Sequence, residues 1–248
     1  MVYQGSKAKL AKYLIPIIQD YITKYNIDTY VECFVGGANL IDKVNCPNRY
    51  GFDINPYVIS LLKYAQNNPN IDIAPEDCTF EHYKDVRDSY NKHDNRYSTE
   101  YIALIGYMAS YAGRYFDGGY GRDSKGGRCI YKERLQNLKL QAPNLNNIHF
   151  DVMNYEDLDI SKYKNCLFYL DPPYKSTKKY GKQVVDYDKF YDFCRELSKE
   201  NVVLISEYNM PDDFKCIWQK ERKVLQKSDR VTGDIAIEKL FTIGEKNV

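Results

Sequence analysis

The chain has 248 residues, 44% of them hydrophobic, and 35 Lys and Arg stand against 34 Asp and Glu. That length and apolar content exclude a globally disordered chain and predict one large domain, or one domain carrying an insertion. The near-neutral charge excludes nucleic-acid binding driven by bulk charge, so any such signal must be local.

Leu10, Leu14, Ile17, Ile18, Tyr21 and Ile22 recur at helical spacing and predict a helix within residues 8–25. "TYVECF" (29–34) reads as a short strand, followed by the glycine turn "VGGAN" and a helix behind it. "RYGFD" (49–53) is a second strand ending in Asp53, and "PYVISLLKYAQ" then opens a helix with Pro56 in its first turn. Strand, glycine turn, helix, strand, acid and helix together predict an α/β fold with a doubly wound, mostly parallel sheet. The alternation then stops. "FEHYKDVRDSY" and "STEYIALIGYMASY" read as two helices, residues 113–128 as a glycine-rich loop or hairpin, and "YKERLQNLKLQ" as a helix. The sheet resumes at "IHFDV" (148–152) and "CLFYLD" (166–171). A helix, "YDKFYDFCRELSKE", leads to the strand "NVVLISEY", and two more strands are expected near 216–224 and 235–243. Residues 65–145 therefore read as an inserted helical and hairpin region, with a core built from 1–64 and 146–248.

The chain contains seven cysteines, an odd number without a CxxC pair. Several interrupt apolar runs, as Cys33 and Cys166 do, so reduced and mostly buried thiols are expected. His82, His93 and His149 lie far apart, which gives a metal site little support. No apolar leader and no run of ~18 apolar residues occurs, so a soluble cytoplasmic protein without membrane contact is expected.

Three stretches carry chemistry. "ECFVGGANL" puts Gly36 and Gly37 directly after a strand, where the backbone can turn tightly and approach a ligand. It is not GxGxxG, and such a turn can also be a plain connector. Asp53, at the end of the second strand, is placed to accept hydrogen bonds from a ribose diol, or else to cap the next helix. "DPPY" is the sharpest element. Asp171 ends an apolar strand, Pro172 and Pro173 hold their carbonyls still, and Tyr174 supplies a flat face for a base. Asp171 and the Pro172 carbonyl can accept the two hydrogens of an exocyclic amine, which makes the nitrogen nucleophilic. The alternative is a stiff turn that ends a strand.

These residues resemble Dam-type DNA adenine-N6 methyltransferases, especially phage and prophage-like members, and the resemblance runs nearly end to end. "YQGSKAKL" resembles the segment that closes over S-adenosylmethionine, with Tyr3, Gly5, Ser6 and Lys7 at matching places. "VECFVGGANL" resembles the cofactor loop, with Glu32, Phe34, Gly36 and Gly37. Asp53 of "GFDINP" falls at the ribose-binding acid, and Asn154 and Tyr155 of "DVMNYEDL" fall at the pair that meets the cofactor adenine. "YLDPPY" is the catalytic motif, in which Asp171 also borders the cofactor. The resemblance implies a methyl group passed from S-adenosylmethionine to N6 of an adenine flipped out of double-stranded DNA, leaving S-adenosylhomocysteine. It implies catalysis by positioning, with no metal and no covalent enzyme intermediate.

The insertion then resembles a target-recognition region. Residues 111–141 hold seven cations against three acids, an excess of four positive charges. Arg114, Arg122, Lys125 and Arg128, interleaved with Tyr115, Phe116 and Tyr120, suit contacts to the DNA backbone and wedging between bases. Lys175, Lys178, Lys179 and Lys182 form a second basic cluster, either a phosphate clamp or a plain loop. Members that read GATC carry a hairpin resembling "FNVPFGRY", whereas this chain has "YFDGGYGRD", so the target sequence does not carry over. Ser206 and Glu207 have no evident role. An N4-cytosine or RNA amino-methyltransferase, or an inactive DNA-binding relative, are the alternatives. A monomer or weak dimer is expected.

Overall fold

Four consecutive buried residues, Leu167–Leu170, make the strand at the centre of the molecule. A strand apolar on both faces needs cover on both, and it forms part of a seven-stranded mixed sheet. The structure is a computed structural model and describes residues 1–123, 127–175, 185–223 and 235–244. In chain order the elements are α1 (Ala11–Lys24), β1 (Thr29–Glu32), β2 (Asn48–Asp53), α2 (Pro56–Asn67), α3 (Phe80–Lys92), α4 (Thr99–Met108), α5 (Ile130–Gln141), β3 (Ile148–Val152), β4 (Leu167–Leu170), α6 (Tyr187–Ser198), β5 (Val202–Glu207), β6 (Lys215–Lys223) and β7 (Ile235–Thr242).

The sheet order is β3-β2-β1-β4-β5-β7-β6. Strands β1 to β5 run parallel to their neighbours, and β7 inserts antiparallel between β5 and β6. Chain order reverses direction between β1 and β4, the place where open parallel sheets form a crevice at their carboxyl edge. Glu32, Asp53 and Asp171 all lie at that edge, at or just beyond the ends of β1, β2 and β4.

Two apolar layers cover the sheet. On one face Tyr30, Tyr169, Leu204 and Leu240 join α1, α2 and the helices of the insertion in a single cluster. On the other, Val31, Phe168, Leu170, Val203 and Ile205 pack with Phe190, Cys194 and Leu197 of α6. The insertion therefore shares its core with the sheet: Tyr83, Val86, Leu104 and Ile105 sit in the same cluster as Val58 and Leu61.

The helix expected behind the glycine turn is absent; residues 33–44 form a succession of turns before β2. Gly36 (φ +47°) and Ala38 (φ +54°) adopt left-handed conformations that interrupt helical winding. Five of the cysteines are buried, while Cys129 and Cys216 are exposed. No helix among the described residues is long and apolar enough to cross a membrane.

Candidate active site

The end of β2 organises the glycine turn. Gly36 N–H donates to Asp53 Oδ2 (3.0 Å) and Asn55 N–H donates to Asp53 Oδ1 (2.9 Å). Asn55, not Asp53, caps α2, its side chain accepting from Tyr57 N–H, with Pro56 opening the helix. Asp53 is thus left at the crevice. Burial pushes its carboxyl up to about 6, against the two backbone donors.

Glycine is required in the turn for steric reasons. A Cβ on Gly36 would stand 2.7 Å from Tyr3 Cε1, and one on Gly37 would stand 2.6 Å from Asn39 Nδ2. The segment carrying Tyr3 thus lies over the turn, and a tight turn at Gly5 (φ +79°) carries the chain on to Lys7. Gln141, at the end of α5, reaches the same turn: its amide donates to the carbonyls of Gly37 (3.1 Å) and Ala38 (3.0 Å).

Lys7 is 7% exposed and its ammonium lies 2.7 Å from Asp171 Oδ1. It also sits 4.6 Å over the Tyr174 ring. Burial pushes the Asp171 carboxyl up and Lys7 pulls it back. The Tyr174 hydroxyl donates to Glu238 Oε2 on β7 (2.8 Å), and the edge of its ring meets Tyr208 at 4.5 Å between centroids. Glu32 is buried at the end of β1 and accepts from the Tyr30 hydroxyl (2.8 Å). Desolvation pushes its carboxyl up to about 8.

One cavity of about 1070 Å³ joins these groups. Its wall takes in every residue assigned from sequence to the cofactor and to catalysis: Tyr3, Gly5, Ser6, Lys7, Glu32, Phe34, Gly36, Gly37, Asp53, Asn154, Tyr155 and Asp171 through Tyr174. Phe34 and Tyr155 pack at 5.4 Å. Ile54, 42% exposed in the same wall, is an apolar side chain with the exposure to meet a flat ring. Sequence reasoning missed it, along with Tyr107, Gln141 and Glu238; of these only Glu238, an acid in the strand phase of buried Leu240, carries a local signal.

The insertion is less open than its composition suggests. Arg114 is exposed and borders the cavity. Tyr115 (φ +39°) and Phe116 (φ +54°) fold inward. Phe116 is 7% exposed, and Tyr115 packs on Tyr107 at 4.7 Å with its hydroxyl buried and unpartnered among the described residues. In this conformation neither ring is a surface wedge, because both fill the aromatic layer around Tyr90. The Tyr120 hydroxyl donates to the Cys78 carbonyl (2.6 Å), tying the loop down. The Arg122 guanidinium rests 4.9 Å over Phe80, and Arg128 forms a two-pronged pair with Glu133. Arg134, on α5 and counted among the seven cations of residues 111–141, turns inward to the carbonyls of Met108 and Ser110. Lys125, Lys178, Lys179 and Lys182 lie outside the described residues. The Lys175 ammonium sits 5.4 Å over the Tyr187 ring.

A family model described as D12 class N6 adenine-specific DNA methyltransferase matches residues 3–232. The chain is 29% identical over 192 residues to Type II methyltransferase M.FokI of Planomicrobium okeanokoites, covering 71% of this chain and 28% of that protein. It is 24% identical over 199 residues to Modification methylase StsI of Streptococcus sanguinis, with the same 71% and 28% coverage. The chain thus spans under a third of the length of these curated relatives. An rRNA methylase structure from Streptococcus thermophilus aligns over 93% of this chain and 97% of its own, at 10% identity and a TM-score of 0.35.

Proposed function

Because the chain belongs to the D12 class N6 adenine-specific DNA methyltransferases, we propose that it methylates the N6 amine of an adenine flipped out of duplex DNA, using S-adenosylmethionine. One observation carries the reading. The amine-accepting turn, Asp171 to Tyr174, and the ribose-type acid Asp53 open into the same cavity as the glycine turn. Donor and acceptor sites in one space are what direct transfer requires.

The residues fit the cofactor. The glycine turn presents Gly36 and Gly37 to the cavity without side chains, with Tyr3 packed against it. Asp53 would accept from the ribose hydroxyls, Ile54 and Tyr155 would flank the adenine, and Glu32 and Lys7 would lie toward the amino-acid end. The bound cofactor supplies an electrophilic methyl group on a sulfonium. Asp171 and the Pro172 carbonyl accept the two hydrogens of N6 and draw its lone pair out of the ring. Tyr174 faces the base, and the proton leaves after the methyl has moved, so Asp171 need not be a strong base. Residues 65–145 supply target recognition, with Arg114, Arg122, Lys125 and Arg128 on the phosphates. Tyr115 and Tyr120 reach DNA only if their loop rearranges from its packed state.

Nucleoside mass spectrometry of methyl-free DNA treated with the protein and labelled S-adenosylmethionine tests the reading. N6-methyladenine is the expected product. N4-methylcytosine, or label confined to RNA, would replace it with an alternative, and cofactor binding without transfer would point to an inactive relative.

A further inference from the structure

Two buried acids beside the Asp171–Tyr174 turn have no part in the chemistry proposed above. Glu207, the last residue of β5, is 1% exposed, and Glu238 on β7 is 3% exposed. Buried carboxylates persist only where hydrogen bonds or charges compensate their lost hydration. Here the compensating partners include the Tyr174 hydroxyl of the turn and the Lys175 N–H that directly follows it.

We infer that Glu207 and Glu238 are positioning residues that clamp the catalytic turn from opposite faces of the sheet. The inference rests on the methyl-transfer reading. Side chains alternate along a strand, so Glu207 continues the row of Val203 and Ile205 on the α6 face. Glu238 continues the row of Leu240, on the face of Tyr169 and Leu204. Glu207 Oε2 accepts from Lys175 N–H (3.2 Å) and from the Tyr187 hydroxyl (3.1 Å), and Oε1 accepts from Tyr208 N–H (2.6 Å). The single Tyr187 hydroxyl hydrogen is shared between Glu207 and the Pro173 carbonyl. Glu238 holds the other side through the Tyr174 hydroxyl (2.8 Å).

The two prolines explain why outside anchors are needed. They contribute no N–H, so the turn cannot be held by its own backbone donors at those positions. The carbonyl of Pro173 and the N–H of Lys175 take that part, and Glu207 with Tyr187 engages both. Asp171 and the Pro172 carbonyl must meet both hydrogens of one amine, and a misplacement on the order of 1 Å costs about a hundredfold in rate. The clamp contacts none of the groups assigned to the cofactor ribose or adenine. Loosening it should therefore act on turnover and spare cofactor affinity.

The test uses the full chain with Glu207→Leu, Glu207→Gln, Glu238→Leu and Tyr187→Phe. Leucine fills a similar volume and removes the buried acid, but it leaves the donors that face it unpaired, so some loss of thermal stability is expected in each leucine variant. Single-turnover transfer to methyl-free genomic DNA is expected to fall roughly 10–100-fold for each leucine variant, with the S-adenosylmethionine KM within about threefold. Glu207→Gln, which keeps one acceptor oxygen, should lie between. Tyr187→Phe added to Glu207→Leu should cost less than the two single losses combined, because the residues share one anchor, and what it does cost reports the Tyr187 contact with the Pro173 carbonyl. Unchanged turnover in both leucine variants would overturn the inference, as would a parallel loss of turnover, cofactor affinity and thermal stability. Hydrogen exchange of the 171–175 backbone gives a second readout independent of activity. The clamp requires faster exchange there in Glu207→Leu and unchanged exchange in β1 and β2, and uniform exchange would overturn it. A wild-type protein that fails to transfer would count against the methyltransferase reading, and the exchange measurement would still decide the clamp.

Discussion

The Lys7 ammonium holds Asp171 Oδ1 at 2.7 Å, linking the segment before α1 to the end of β4. One cation thereby sits on the carboxylate proposed to receive the amine, and 4.6 Å over the ring proposed to face the base. Burial raises the Asp171 carboxyl and Lys7 opposes that rise. Removing the lysine leaves burial and the nearby Glu238 opposed by the Tyr174 hydrogen bond alone, so more molecules carry a neutral Asp171 at a given pH. A neutral carboxyl presents a hydroxyl where an acceptor is needed. Lys7→Met should therefore shift the acid limb of the kcat profile to higher pH, with activity recovering as pH rises. An acid limb at the wild-type position would reject this account of Lys7.

Asp171→Ala should abolish detectable methylation, a loss of about a hundredfold or more, while S-adenosylmethionine binding by calorimetry is partly retained. The variant also strands Lys7, 7% exposed, without its partner. Breaking a buried pair from one side costs about 3 kcal/mol, visible as a lower Tm. The double variant Lys7→Met/Asp171→Ala should regain much of that stability and none of the activity. Wild-type-like turnover in Asp171→Ala would remove the mechanism.

Gly36→Ala tests the cofactor turn. Residue 36 has φ +47°, a left-handed conformation costing about 1–2 kcal/mol for an L side chain. The new Cβ would also press on Tyr3 at 2.7 Å. Weaker S-adenosylmethionine binding is expected, and Tyr3→Ala in the same chain should relieve the contact but not the backbone strain. Titration calorimetry on the two single variants and the double separates these parts.

The sheet and the acidic edge of its crevice were legible because short-range signals carry them. Alternating and continuous apolar runs gave strands, acids at strand ends gave Asp53 and Asp171, and Glu32 came only with the resemblance of "VECFVGGANL" to a cofactor loop. The helix behind Gly36 was misjudged because left-handed Gly36 and Ala38 override the propensity of "ANLIDK". The insertion was misjudged in the other direction. Tyr115 and Phe116 look like loop residues by composition and Arg134 like an outward helix cation, but their destinations are set by Tyr90, Tyr107 and the carbonyls of Met108 and Ser110, which no local pattern reveals. Glu207 and Glu238 escaped for the same reason, although Glu238 shares the strand phase of buried Leu240, a signal that an inward acid needs a partner.

Glu32 gives a pH prediction with a definite sign. Its carboxyl titrates at about 8 in the fold, raised by burial from an ordinary value of 4.5. Between those values the folded protein holds one proton more than the unfolded chain. The contribution to stability is complete below about pH 4.5 and is lost as pH rises through about 8, at up to about 1.4 kcal/mol per pH unit. Urea unfolding from pH 5.5 to 9 should therefore show a steeper decline for wild type than for Glu32→Gln. Parallel curves would mean that Glu32 is ionised throughout.

The insertion arginines should separate DNA binding from cofactor binding. Arg122→Ala and Arg128→Ala are expected to weaken DNA across all sequences, each lowering the slope of log affinity against log salt by about 0.9 if it neutralises one phosphate. S-adenosylmethionine affinity should stay within about twofold, because neither side chain borders the cavity. Arg128 must first release Glu133, with which it forms an exposed pair. Such pairs are weak in water and exchange readily for a phosphate. Glu133→Gln should accordingly tighten DNA binding, since it frees Arg128 and removes a charge that repels the backbone. Filter binding at several salt concentrations reads all three variants, and weaker binding by Glu133→Gln would show that the pair orders Arg128 for DNA and does not compete with it.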